Sequence, residues 1–438
     1  MKISVFGLGY VGCVSAAAFA DRGHTVVGVD INPLKVRLID AGQTPVLEAG
    51  LAESVAASVA DGRLTATTDG VAAVRSTDVS LVCVGTPSTS SGGLSTDALE
   101  RVAIVIAHGL AGVDGRHTVV IRSTMLPGTC ERLVVPLLEA NSGRHAGEDF
   151  GVAVNPEFLR EGTSLDDFEN PPKTVIGAID DASAEAVAAL YDGVPGPVHR
   201  VSLRVAEMTK YTDNAFHALK VGFANEIGAA CRAFGLDSHE VMRIFRSDTK
   251  LNISPAYLTP GFAFGGSCLP KDLRALLYAA RHADVELPIL QSVLPSNERH
   301  LQRTVDLVVE MGLRKIGLFG LSFKPGTDDL RESPLVELAE RLLGKGFDLK
   351  IYDPAVSLSR LVGANREYIE SRLPHLSALL ADSSGEVMRH AEVCIIGSNT
   401  PEAVEALAQA NGRRLVDLVR LPDAAERRGG EDYVGVAW

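Results

Sequence analysis

The sequence predicts an α/β protein: two Rossmann-like, doubly wound domains joined by a long central helix in a helical domain. Three observations predict it. A glycine fingerprint, Gly7-Leu-Gly9-Tyr-Val-Gly12, stands between a strand-like run and an Ala-rich helical run. From about Leu203 to Phe234 there is no proline and the apolar pattern is helical. Beyond that, Lys315-Ile-Gly-Leu-Phe319 opens a second alternation of strands and helices. The 438 residues exceed one ordinary core, and the expected domains are 1–200, 201–305 and 306–438.

Taken in order, Ile3-Ser-Val-Phe6 reads as a buried strand and the Ala-rich helix runs to about Asp21. The first fingerprint glycine makes the turn, the second admits a pyrophosphate and the third lets helix pack on strand. The free N–H groups of the helix N-terminus then face the phosphates. The next strand, His24–Asp30, ends in an acid suited to the adenosine ribose hydroxyls and unfavourable to a 2′-phosphate, which favours NAD over NADP. An FAD site or an empty Rossmann fold is the alternative reading of the fingerprint. Further strands, 78–84, 117–122 and 151–154, end beside Thr86, Thr124 and Glu157, where a doubly wound sheet binds ligands. Glu161, one helical turn after Glu157, offers a second carboxylate.

On the long helix, Lys210, Asn214, His217 and Asn225 fall within a quarter turn of each other. Their neighbours Met208, Ala215, Phe216, Ala218, Val221 and Phe223 read as buried, so the polar stripe is expected to face a polar ligand. Gly235 stops the helix. A shorter helix, 238–246, precedes the run Pro260-Gly-Phe-Ala-Phe-Gly265-Gly-Ser-Cys268-Leu-Pro-Lys271-Asp272. There, glycines allow close backbone approach and a thiol lies near a cation, which favours the nucleophilic thiolate. A Gly-rich turn with a spectator cysteine is the plainer reading. The last third echoes the first without a clean fingerprint, and Lys324 and Arg331 in its first loop are candidate cations for phosphates.

Composition narrows the function. A net charge of −13 argues against a general binder of nucleic acid or anionic membranes. The six cysteines show no CxxC and no zinc spacing, which predicts free thiols, a reducing cytoplasmic compartment and no structural metal. No apolar run has the length of a membrane span. The N-terminal apolar stretch imitates a signal peptide, but glycines at 7, 9 and 12 interrupt it.

Gly7-Leu-Gly-Tyr-Val-Gly12, Asn155-Pro-Glu-Phe158, Lys210…Asn214, Gly265-Gly-Ser-Cys268-Leu-Pro-Lys-Asp272 and Phe323-Lys…Arg331-Glu-Ser resemble, in order and over essentially the whole chain, the nucleotide-sugar 6-dehydrogenase family. Arg122-Ser-Thr-Met-Leu-Pro-Gly-Thr129, His217, Lys250-Leu-Asn-Ile-Ser254 and Pro260-Gly-Phe-Ala-Phe264 are most similar to the branch that oxidises GDP-mannose in alginate biosynthesis. Ser254-Pro-Ala-Tyr-Leu-Thr259 departs from it: Ala256 and Thr259 stand where that branch has an aromatic residue and an arginine.

The resemblance implies two oxidations at the sugar C6, each reducing one NAD⁺, with Cys268 forming first a thiohemiacetal and then a thioester. It implies that Lys210 and Asn214 stabilise the oxyanion, that Asp272 and Thr124 position a water or relay a proton, and that Glu157 or Glu161 assists hydrolysis or holds the sugar. Gly7, Gly9, Tyr10, Val11, Gly12, Asp30, Lys35, Thr86, Thr124, Lys271 and Arg331 are then expected at NAD. Glu161, Lys210, Asn214, His217, Asn225, Tyr257, Phe262, Gly265 and Lys324 are expected at the nucleotide sugar. It also implies a homodimer or larger homo-oligomer built on the long helix. The competing readings are a UDP-glucose or UDP-N-acetylhexosamine 6-dehydrogenase, a two-electron β-hydroxyacid dehydrogenase, and a non-catalytic sensor of nucleotide sugars.

Overall fold

The computed structural model describes the chain apart from residues 88, 90–93, 161, 255–259, 267–268, 323–329, 331, 355, 357–378, 409–411, 428 and 438. It divides into two units, Met1–Ala218 and Leu219–Trp438.

In the first unit, strand β1 (Lys2–Phe6) leads through the fingerprint into helix α1 (Tyr10–Asp21). Strand β2 (Thr25–Val29), helices α2 (Pro33–Asp40) and α3 (Leu51–Ala60), strand β3 (Leu64–Thr67) and helix α4 (Gly70–Arg75) follow. The alternation continues through β4 (Val79–Val82), α5 (Asp97–Leu110), β5 (Thr118–Ile121), α6 (Val135–Ser142), β6 (Gly151–Val154), α7 (Ser164–Glu169), β7 (Thr174–Ala178), α8 (Asp181–Ala188) and β8 (Val198–Val201). The strands form one sheet in the order β3-β2-β1-β4-β5-β6-β7-β8. Every pairing is parallel except β6 with β7. Central strands such as Val79–Val82 and Thr118–Ile121 are buried throughout, as expected where helices cover both faces. One face packs under α1, α3, α7 and α8. The other packs under α4, α5, α6 and the first residues of the long helix.

That long helix, α9 (Leu203–Ala233), ends at Gly235 with φ +69°. Two buried glutamates anchor it. Glu207 accepts from the Gly128 amide at 2.5 Å and the Cys130 amide at 2.8 Å. Glu226 accepts from the Ile289 and Leu290 amides at 2.6 and 3.0 Å. Each carboxylate satisfies amide donors at the start of another helical segment. Between these anchors the expected burial fails: Asn214, Ala215, Phe216, His217 and Ala218 are all exposed in the single chain, as is Met208. Helical periodicity identifies the helix but not what covers it, and among the described residues this stretch stays exposed.

In the second unit, α10 (Ser238–Ser247), α11 (Leu269–His282) and α12 (Pro288–Glu310) precede β9 (Lys315–Phe319), α13 (Pro334–Gly344) and β10 (Asp348–Tyr352). With β11 (Val393–Ile396), β12 (Arg414–Asp417) and β13 (Tyr433–Gly435), the second sheet runs β10-β9-β11-β12-β13, all parallel. It repeats the first turn in detail. Gly7 and Gly320 both have φ +96°. The Leu8 amide donates to Asp30 at 2.8 Å, and the Leu321 amide donates to Asp353 at 2.8 Å.

Candidate active site

At the first β–α turn the backbone explains the glycine spacing. A Cβ on Gly12 would lie 1.8 Å from the Gly7 carbonyl oxygen, so helix and strand meet only if residue 12 is glycine. A Cβ on Gly9 would meet nothing within 4 Å, which leaves the open approach a pyrophosphate requires. The first turn of α1 carries no acidic residue and no side-chain cap, so its amides remain available to an anion. These features fit a dinucleotide.

Asp30 is held by its own loop, accepting from the Leu8 amide, from the Asn32 amide at 2.8 Å and from Lys35 Nζ at 3.2 Å. Two of the expected cofactor residues thus form one ion pair. Lys35 offsets part of the Asp30 charge, so repulsion of a 2′-phosphate is smaller than Asp30 alone would give. Thr86 and Thr124 also meet, the Thr86 hydroxyl donating to the Thr124 carbonyl at 2.8 Å.

At the end of β6, Lys210 Nζ donates to Glu157 Oε1 at 2.8 Å and to the Glu157 carbonyl at 2.7 Å. The other carboxylate oxygen accepts from the Leu159 amide at 2.7 Å. Both side chains are nearly covered, at 11% and 13% exposure. The Phe158 ring lies near two cations, Lys173 at 4.7 Å and Lys210 at 5.6 Å from its centroid. Lys173 pairs with Asp213, one turn along α9 from Lys210. A hydrogen-bonded ammonium on a rigid helix, near the carboxyl ends of the strands, can stabilise charge developing on a substrate oxygen.

Beneath this turn lies a buried cation that the sequence reasoning did not single out. Arg122 Nη1 donates to Asn155 Oδ1 and to the Tyr191 hydroxyl oxygen, each at 2.7 Å. The Tyr191 hydroxyl donates to the same Asn155 oxygen at 2.5 Å, and Asn155 Nδ2 donates to the Val175 carbonyl at 2.8 Å. Asn155 therefore connects β5, β6 and β7 beside Glu157. The motif Arg122-Ser-Thr was visible, but a partner 69 residues away was not.

In the second unit, the segment before Cys268 is fixed at several points. Asn297 Oδ1 accepts from the Phe264 amide at 2.9 Å, and its Nδ2 donates to the Phe264 carbonyl at 2.8 Å. His300 Nε2 lies 2.8 Å from the Gly261 carbonyl and donates to it. The Gly266 amide donates to the Glu332 carbonyl at 3.1 Å. A Cβ on Gly265 would lie 2.1 Å from that oxygen, so its missing side chain admits protein backbone, and only its amide and carbonyl remain to meet a ligand. Gly266, at φ +89°, supplies the left-handed turn. Phe262 packs on the core of this unit.

Several expected site residues stand apart. Asn214 and His217 are exposed. Asn225 lines a groove with Ser238, His239 and Arg246. Lys271 is exposed in the first turn of α11. Glu161, Tyr257, Cys268, Lys324 and Arg331, and the side chain of Asp272, lie outside the described residues. No cluster of three or more potential metal ligands occurs among the described residues, and no described helix is long and apolar enough to cross a membrane.

An open, mostly parallel sheet with this glycine turn, an acid ending the second strand and an ordered polar pair at the strand ends defines a dinucleotide-dependent enzyme of the dehydrogenase class. The chain belongs to the UDP-glucose/GDP-mannose dehydrogenase family. Residues 1–194 match its NAD binding domain, 204–299 its central domain and 317–419 its UDP binding domain. Curated relatives named GDP-mannose 6-dehydrogenase, from Pseudomonas syringae pv. syringae and Azotobacter vinelandii, are each 50% identical over 440 residues and cover 100% of both chains. A UDP-glucose 6-dehydrogenase of Haloferax volcanii is 36% identical and covers 99% of both. Among solved structures, a ternary complex of GDP-mannose dehydrogenase from Pseudomonas aeruginosa matches with TM-score 0.96 and 48% identity over 100% of both chains.

Proposed function

We propose that this protein is an NAD-dependent dehydrogenase that oxidises the C6 hydroxyl of GDP-mannose to a carboxylate in two steps. The observation that carries this reading is the full-length identity of about half with GDP-mannose enzymes, well above that with the UDP-glucose enzyme. The site geometry supports it. Bound NAD⁺ supplies the hydride acceptor for each oxidation. Lys210 holds the C6 oxygen and stabilises negative charge on it while the alcohol gives up its proton and a hydride. The Cys268 thiolate then bonds to the aldehyde carbon, and the resulting thiohemiacetal yields the second hydride to become a thioester. Water cleaves the carbon–sulfur bond, returning the thiol and leaving the acid. In sum, one alcohol, two NAD⁺ and one water give one carboxylate, two NADH and three protons.

The ion pair with Lys210 supports a role for Glu157 in this chemistry. Asn214, Thr124 and Asp272 complete the catalytic set, and Glu161, His217, Asn225, Tyr257, Phe262, Gly265 and Lys324 hold the nucleotide sugar. Lys271 and Arg331 complete the dinucleotide site. The reading extends to a cytoplasmic homo-oligomer. Buried unpaired thiols at Cys13, Cys83, Cys130, Cys231 and Cys394 support a reducing compartment. The exposed apolar residues Val205, Met208 and Phe216 on α9 support association.

The test is NADH release with GDP-mannose, UDP-glucose and UDP-N-acetyl sugars as substrates. Two NADH per GDP-mannose are expected, and Cys268→Ser should abolish net acid formation. Faster turnover of UDP-glucose than of GDP-mannose, or one NADH with free aldehyde as product, would overturn the reading.

A further inference from the structure

Glu48 enters from the irregular segment between α2 and α3. Its carboxylate gathers donors from distant parts of the chain. Oε2 accepts from the Tyr10 hydroxyl at 2.5 Å and from the Gly162 amide at 2.8 Å, and Oε1 accepts from the Ser164 amide at 2.9 Å. The Tyr10 hydroxyl also lies 3.5 Å from the Arg160 carbonyl. Tyr10 directly follows Gly9 as the first residue of α1, and residues 162–164 form the turn into α7. We propose that Glu48 is a positioning residue that ties the dinucleotide fingerprint to the 162–164 turn, so that cofactor binding orders the sugar side of the site.

This rests on the reading given under Proposed function. A simple cap on α7 would need only the two amides. Tyr10 is the added element, and it leads into the turn where the dinucleotide binds. The nearby Arg160 is held by Asp167, with Nη2 2.5 Å from Oδ1, so the Glu48 contacts are with the Tyr10 hydroxyl and the two amides. The Tyr10 hydroxyl first, with the Gly162 amide, brings the Glu48 carboxyl down to about 2, so it is ionised throughout the working range. At φ +91°, Gly162 turns the chain in a way other residues resist, which fixes where its N–H points.

The test uses the full-length protein and its Glu48→Ala, Glu48→Gln and Tyr10→Phe variants. Hydrogen exchange at the Gly162 and Ser164 amides is measured with and without NAD⁺, in the absence of sugar. In the wild type, NAD⁺ should slow exchange at these amides about tenfold, and in Glu48→Ala it should not. Glu48→Gln keeps an acceptor oxygen and should fall between them. It also provides the readout if the alanine variant does not fold. The KM for GDP-mannose should rise about tenfold in Glu48→Ala with a smaller change in the KM for NAD⁺, and Tyr10→Phe should lose the NAD⁺ effect while keeping the two amide bonds. Lower thermal stability with unchanged NAD⁺-dependent protection and unchanged KM values would show a plain helix cap and overturn the proposal. The exchange readout needs no turnover. A protein that shows the coupling but does not oxidise GDP-mannose would therefore sink the functional reading alone. One that oxidises GDP-mannose without the coupling would sink this proposal alone.

Discussion

Lys210 Nζ bonds both the carboxylate and the main-chain carbonyl of Glu157, at 2.8 and 2.7 Å. One ammonium from α9 therefore fixes the whole turn that ends β6. Replacing Lys210 by Met leaves a nearly covered carboxylate unpaired, which should cost about 3 kcal/mol of stability. It should also lower kcat by about 10²- to 10³-fold, measured on the folded fraction. Glu157→Gln keeps the carbonyl contact and should lose less. Wild-type kcat in Lys210→Met would remove lysine from the chemistry.

The Phe158 ring is shared by Lys173 and Lys210. Phe158→Leu keeps the bulk and removes the π face, so each cation should lose about 0.5–1 kcal/mol. A double-mutant cycle between Phe158→Leu and Lys173→Met, read by urea unfolding, should show a nonzero coupling energy. Simple additivity would mean that the ring only fills space.

Asn155 is the acceptor on which both Arg122 and Tyr191 converge. Asn155→Ala leaves the buried guanidinium with the Tyr191 oxygen as its hydrogen-bond acceptor among the described residues and should destabilise the first unit by about 2–4 kcal/mol. Tyr191→Phe removes one hydroxyl and should cost about 1–2 kcal/mol. A smaller loss for Asn155→Ala than for Tyr191→Phe would mean that the network is centred elsewhere.

Asn297 brackets both polar groups of the Phe264 peptide, four residues before Cys268. Asn297→Ala should leave the first oxidation largely intact and slow the thiol-dependent second one. The NADH yield per sugar should fall below two, with aldehyde detectable by trapping. An unchanged yield would show that the segment is held sufficiently by His300 and Glu332.

His117 is buried at the start of β5. Its Nδ1–H donates to the Thr77 carbonyl at 2.9 Å, leaving Nε2 to accept from the Ser80 hydroxyl at 2.8 Å. Burial lowers its pKa from 6.5 to about 4. The unfolded chain therefore takes up this proton first as the medium is acidified. The stabilising contribution is complete above pH 6.5 and is lost as pH falls towards about 4, roughly 3 kcal/mol in all. His117→Asn should flatten the unfolding free energy across that window, and an unchanged slope would assign the acid loss to other groups.

Much of the fold was legible because its signals are local. The glycine spacing reflects contacts within one turn, where Gly12 meets the Gly7 carbonyl. The strands 151–154, 315–319 and 393–396 are short runs dominated by apolar and small residues, and the structure has them with those bounds. The second unit's relation to the first was visible in its alternation of strands and helices, and the matching bonds to Asp30 and Asp353 show its physical basis. Antiparallel pairing of β7 with β6 was not legible, because strand direction depends on the path of the chain between them. The surroundings of α9 were also misjudged, since a helical apolar pattern does not say whether the same chain covers it.

By itself, the sequence determined the dinucleotide turn, the acid at the end of β2, the length of α9 and the place of a cysteine in a glycine run. These follow from backbone sterics and short-range periodicity, which operate over a few residues. Only the tertiary structure decided that Lys210 closes on Glu157, that Asn155 gathers Arg122 and Tyr191, that Asn297 holds Phe264, and that Glu48 joins Tyr10 to residues 162–164. Each of those pairings spans tens of residues to more than a hundred. They exist because folding brings distant polar groups together, and those taken out of water, as Arg122, Asn155 and Tyr191 are, must find partners.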